Sequence, residues 1–311
     1  VRPFRFGIVC AAATAAQLHE VAREAEGRGY STLALTDHLD LSGAHVARLS
    51  WLPALASAAS VTSTLRFTTM VANQDLRHPA VLAREVASLD ILSSGRMELG
   101  LGAGWNPIEY DWAGITLDPA AVRVRRLAEY AQVIRLLLDA TTETVSFTGE
   151  FFTITAMPTA PHPTQRYVPL MLGGAQRTML STAGRLADIV NILTLRESGT
   201  TDEVMAQKVP WIREAAGSRD VELGTSIVLV ATDATDPADA VRAALPRSRF
   251  AQHVTETQSV ESVAAAPHVL AGSPEAIAEE LVRRRERWGL SYYLIPEDAM
   301  ADFQPVLEAL L

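Results

Sequence analysis

Asp37 and His38 stand side by side at the end of a short apolar run, TLALTDHL. An imidazole titrates near neutral pH and passes a proton either way, and a carboxylate can steady it. The pair therefore has the residue types of general acid–base chemistry. Neighbours on an extended chain point to opposite sides. Spacing alone leaves open whether the two touch, or whether His38 is simply satisfied by backbone. The seven histidines of the chain show neither HExxH pairing nor any other metal-ligand spacing, so no metal is expected.

Two glycine runs follow other apolar segments. Gly102-Ala103-Gly104 falls in LGLGAGWNP, where the dinucleotide pattern G-x-G-x-x-G fails and no helix is expected to open at Asn106-Pro107. Glycines there let the backbone approach a flat ring or a phosphate, or they make a tight turn. Gly173-Gly174-Ala175 joins a strand to a helix, with Arg177 and Thr178 one turn on. The free N–H groups and positive end of that helix suit an anion; a plain strand-to-helix turn fits the spacing equally well.

The balance of charge narrows the partners. Twenty-seven basic against 36 acidic side chains give a net −9, which repels phosphate backbones and anionic lipid surfaces. Neither nucleic acid nor a membrane is the expected partner. All but one of the cations are arginine, and the exception, Lys208, reads as a surface residue on a helix. Schiff-base chemistry is therefore set aside. The lone Cys10 makes no internal disulfide, no signal-peptide pattern opens the chain and no apolar stretch reaches about 18 residues; the expected location is cytoplasmic.

These residues need a scaffold. Eight β-branched or apolar runs, at residues 5–10, 31–36, 65–71, 96–101, 168–172, 188–193, 225–230 and 291–295, alternate with helical patterns. The clearest helix, 122–138, sets Leu127, Tyr130, Ala131, Ile134, Leu137 and Leu138 on one face. Eight strand–helix repeats in 311 residues without a dividing linker predict one α/β domain, residues 1–311, folded as a (β/α)8 TIM barrel. Catalytic groups then belong at the C-terminal strand ends. Insertions are expected at that mouth: a hairpin over 144–156 turning at Gly149-Glu150, and about 60 residues before the last strand, including the polar stretch from Gln252 to Ser259. His78-Pro79 and Ser273-Pro274 read as helix starts, and Arg283-Arg284-Arg285 as a solvated face.

Residues 68–110, ending in ELGLGAGWNPIEY, resemble the signature of the luciferase-like monooxygenase superfamily. GYSTLALTDHL, PLMLGGAQRTMLSTAGRLADIV and AGSPEAIAEEL occur in the same order and spacing as in that family, and the branch using the deazaflavin coenzyme F420 is the most similar. The resemblance implies a barrel that binds F420, or alternatively FMN, and an oxidoreductase that moves a hydride to or from an organic substrate. It places His38 beside the reactive ring face as proton partner, with Asp37 as its support. It also implies a non-proline cis peptide at Met70-Val71 backing the ring, with Asn73 nearby, and phosphate contacts from Gly102, Ala103, Gly104, Gly173, Gly174, Ala175, Arg177 and Thr178. Two alternatives accompany it: an FMNH2-dependent monooxygenase served by a separate reductase, and a flavin-binding barrel without turnover. A homodimer is expected by the same analogy. Glucose-6-phosphate dehydrogenases of the family have a carboxylate where Trp105 stands and lysines on the substrate phosphate that this chain lacks.

Overall fold

The computed structural model of the protein describes residues 2–39, 48–139, 141–195, 197, 199–232, 234–248 and 259–311. Along the first half run β1 (Arg5–Cys10), α1 (Ala15–Gly27), β2 (Thr32–Leu35), α2 (Trp51–Ala59), β3 (Arg66–Thr69), β4 (Ala72–Asn73), α3 (Pro79–Leu92), β5 (Leu99–Gly102), α4 (Pro107–Ala113) and α5 (Ala120–Leu137). The hairpin β6 (Thr144–Thr148) and β7 (Thr153–Pro158) precedes β8 (Leu170–Gly174), α6 (Arg177–Leu186), β9 (Ile189–Ile192), α7 (Thr201–Ala216) and β10 (Glu222–Ser226). Then come β11 (Leu229–Ala231), α8 (Pro237–Ala244), α9 (Val260–Ala264), β12 (Val269–Ala271), α10 (Pro274–Trp288), β13 (Leu290–Pro296) and α11 (Gln304–Leu310).

Nine strands form one sheet in the order β3-β2-β1-β13-β10-β9-β8-β5-β4, with parallel pairing throughout. β3 and β4 are the halves of one strand interrupted at Met70-Val71, and a parallel bridge from Phe67 to Met97 brings β3 back beside the chain entering β5. The sheet thus curls into the expected eight-staved α/β barrel.

Side-chain alternation builds its interior in layers. At the N-terminal end, Arg5 reaches Glu222 at 2.8 Å and Glu98 at 2.6 Å, and Arg66 also meets Glu98 at 2.6 Å. Such ions tolerate burial because each is paired. Above them Ala34, Met171, Ile189, Tyr292 and Leu294 pack together, topped by Val9, Met70 and Val71. Outward-facing Phe6, Ile8, Leu33, Leu101, Leu172, Val190 and Tyr293 join the helices in the main core.

The seventh stave differs from the sequence expectation of 225–230. β10 occupies 222–226, and the apolar run beyond it leaves the barrel to pair as β11 with β12. This run is apolar on both faces because Val230 joins the main core while Val228, Leu229 and Ala231 join a second cluster with Val241, Val263 and Val269. That lobe, following the C-terminal end of β10, is the expected late insertion; the polar stretch from Gln252 lies, except for Ser259, outside the described residues. The hairpin is antiparallel as expected, and the Glu129 carboxylate of α5 accepts the N–H groups of Glu150, Phe151 and Phe152 at its turn. A Cβ on Gly149 would run into that carboxylate.

Two readings of charged residues change. Lys208 is not a surface residue: its side chain is 2% exposed on α7. In the arginine run only part is solvated, since Arg284 is buried, bonded to Glu280 and to the Pro267 carbonyl.

Candidate active site

The C-terminal ends of β2, β4, β5 and β8 converge. The Met70-Val71 bond is cis, and Met70 Sδ accepts a hydrogen bond from Asn191 Nδ2 at 3.4 Å. Val71 lies between two glycines: a Cβ on Gly102 would collide with its side chain, and one on Gly173 would stand 3.4 Å from Val71 Cγ1. The two glycine runs and the cis bond, distant in sequence, therefore pack together as one floor, with Val71 seated between Gly102 and Gly173. Gly174 is closed on its other side by Met179, while Arg177 and Thr178 lie exposed on the first turn of α6. The Gln176 side chain does not cap α6, which leaves first-turn N–H groups for an anion.

His38 sits at this mouth, 16% exposed, with Nδ1 2.8 Å from Glu109 Oε2. The other Glu109 oxygen accepts the Leu39 N–H at 2.5 Å. The bidentate hold fixes both the imidazole and the chain that bears it. Trp105 stands edge-on to His38, with ring centroids 5.9 Å apart.

Asp37 does not support His38. Its carboxylate accepts the Asn73 N–H at 3.0 Å and pairs with Arg77 at 3.0 Å, tying the end of β2 to the exit of β4. Alternation explains the outcome: adjacent residues on extended chain face opposite ways, so the carboxylate reaching His38 comes from another segment.

That segment is α4, a helix where none was expected. Asn106 Oδ1 accepts the Ile108 N–H at 3.3 Å, Pro107 occupies the first turn and Gly114 ends the helix in the left-handed region. The signal was present, because Asn-Pro is a helix start of the same kind as His78-Pro79, which does cap α3. Consecutive residues of α4 serve two neighbours. Glu109 holds His38, while Tyr110 donates to Asp75 Oδ2 at 2.6 Å and lies 3.2 Å from Asn73 Oδ1. Gly104, at φ 73°, passes so close to the Tyr110 hydroxyl that a Cβ would overlap it.

Cys10 is not a nucleophile here: burial, reinforced by the charge of Glu297, pushes its thiol up to about 12. Among the described residues no helix is long and apolar enough to cross a membrane.

A parallel barrel with a carboxylate-held histidine and glycine-rich strand ends gathered at its C-terminal mouth has its candidate site where barrel enzymes carry theirs. Residues 4–292 match the family model of the luciferase-like monooxygenases, and the chain belongs to that family. An uncharacterised protein of Mycobacterium tuberculosis is 36% identical over 121 residues, 39% of this chain and 41% of that protein's length. An F420-dependent glucose-6-phosphate dehydrogenase of Kineococcus radiotolerans is 26% identical over 274 residues, 86% of this chain and 78% of its own. Among solved structures, an F420-dependent secondary alcohol dehydrogenase in complex with an F420-acetone adduct superposes with a TM-score of 0.81 at 17% identity, covering 100% of this chain and 98% of its own. A long-chain alkane monooxygenase gives 0.82 at 16% identity, covering 100% and 91%. At these identities the two structures speak for the fold.

Proposed function

We propose that the chain is an F420-dependent oxidoreductase that moves a hydride between the deazaflavin and an organic small molecule, with His38 giving or taking the accompanying proton. The observation that bears this reading is the His38–Glu109 contact at 2.8 Å, which holds the imidazole in place at the end of β2. Fit is supported by the floor itself, since a side chain at Gly102 or Gly104 would displace Val71 or Tyr110, two residues that shape the mouth. The F420-dependent relatives add to it. When bound, the deazaflavin supplies the hydride chemistry.

The chain's own residues divide the remaining work. Met70 and Val71 would back the ring, Asn73 is fixed by Asp37, and Gly102 to Gly104 and Gly173 to Ala175, with Arg177 and Thr178, would hold the phosphate-bearing portion. Trp105, half exposed beside His38, offers an apolar wall to substrate. A sugar phosphate fits poorly, because Lys208 is engaged by Glu197 and the Ala175 carbonyl. An alcohol, carbonyl or unsaturated compound is the proposed substrate class. The second reading, an FMNH2-dependent monooxygenase fed by a separate reductase, is favoured by the likeness to the alkane monooxygenase. A homodimer in the cytoplasm completes the proposal.

The test is a side-by-side fluorescence titration of the purified protein with oxidised F420 and with FMN. Micromolar or tighter binding of F420 alone is expected. Preference for FMN would move the protein to the oxygen-using reading, and binding of neither would remove both.

A further inference from the structure

Lys208 is the one lysine in the chain, and its burial is unusual for an ammonium group. It leaves α7 and points into the seam with α6, where it meets Glu197 Oε1 at 2.7 Å and donates to the carbonyl oxygen of Ala175. Ala175 is the residue between β8 and the Gln176 cap of α6. In a trans peptide the C=O and N–H point to opposite sides. A carbonyl turned toward Lys208 therefore turns the Gln176 N–H away from that contact, and the residues that follow, Arg177 and Thr178, are exposed.

We infer that Lys208 is a positioning residue for an anion: it fixes the 175–176 peptide so that the uncapped start of α6 presents its N–H groups to the phosphate of the bound cofactor. The inference rests on the cofactor reading above and deepens it. Three features converge on this role. The ammonium is too enclosed to meet a ligand itself. Its carbonyl contact lies within the only turn joining β8 to α6. Glu197 balances its charge from the segment after β9, which leaves the anion to be held by oriented N–H groups and by Arg177.

The experiment compares ligands with and without phosphate: FMN against riboflavin, and F420 against its phosphate-free deazaflavin core. Wild type, Lys208→Met and Lys208→Arg are titrated by fluorescence, with thermal unfolding followed in parallel. The quantity read is the ratio of the two dissociation constants, which isolates the phosphate. Lys208→Met is expected to reduce that ratio by about tenfold or more, with the phosphate-free constant unchanged. Lys208→Arg, which keeps the charge and donors, is expected to restore most of it. An unchanged ratio overturns the inference, as does a parallel weakening of both ligands, which marks a merely structural lysine. Should Lys208→Met fail to fold, Gln176→Pro deletes the N–H while leaving Lys208 in place, and the same selective loss is required of it. A wild type that binds neither ligand pair removes the cofactor reading and this role with it, a failure distinct from a folded variant that binds both as wild type does.

Discussion

His38 Nδ1 and Glu109 Oε2 are 2.8 Å apart although 71 residues separate them in the chain, and the same carboxylate also accepts the Leu39 N–H. Glu109 therefore commits one nitrogen of the imidazole, and the proposed proton transfer falls to the other. His38→Ala is expected to lower kcat by roughly 10^2- to 10^4-fold, the usual range for loss of a general acid or base, with little change in cofactor affinity. Glu109→Gln, which keeps the shape but loses the charge, should fall between that variant and wild type. Steady-state kinetics together with cofactor titration check both; wild-type turnover in His38→Ala would end the proton-transfer assignment.

Tyr110 and Gly104 form the second lock of the mouth. Tyr110→Phe removes a hydrogen bond to the buried Asp75, and the expected loss is about 1–3 kcal/mol. Gly104→Ala should be worse, since it combines a positive φ with overlap of the Tyr110 hydroxyl. Urea unfolding of the two variants against wild type gives the comparison, and a Gly104→Ala protein as stable as wild type contradicts it.

The hairpin turn predicts a different pair. Glu129→Ala leaves three N–H groups of the turn without their acceptor, and Gly149→Ala forces a methyl against the Glu129 carboxylate. Each is expected to cost about 1–3 kcal/mol. Because both act on one contact, the double variant should cost less than the sum, which a double-mutant cycle measures directly.

His268 makes stability depend on acid. It is fully enclosed, and burial, aided by the charge of Arg284 and opposed by the Thr194 backbone, pushes the imidazole down to about 4. The unfolded group titrates near 6.5, so between these values the unfolded chain binds the extra proton. Stability from neutral His268 is complete above about 6.5 and is lost as pH falls toward 4. His268→Leu should flatten the stability curve over that window. If the wild-type and variant curves run parallel from pH 7 to 4.5, His268 is not the sensor.

Much of this architecture can be read from the chain alone. Period-2 and continuous apolar runs locate the staves, and Gly149-Glu150 locates the hairpin, because those signals are local. The partner of His38 is not local. Nothing in the spacing of Asp37 and His38 shows that one turns toward Arg77 while the other meets a helix 71 residues on. Lys208 fails for a related reason: an isolated lysine on a helix reads as solvent-facing, and only the packing of α6 on α7 shows that Glu197 and Ala175 enclose it. The end of β10 is blurred because the chain stays apolar while changing sheets, from the barrel to β11.

The β11–β12 lobe has an apolar cluster of its own, with Val230 and Leu270 as its link to the main core. A cluster joined to the rest by so few side chains is expected to open locally while the staves stay closed. Amide hydrogens of Leu229 to Ala231 would exchange on the timescale of that local opening rather than of global unfolding. A cassette of this kind, attached beyond the end of one stave, lets sequence drift reshape the rim without disturbing the floor on which His38, Val71 and the two glycine runs depend.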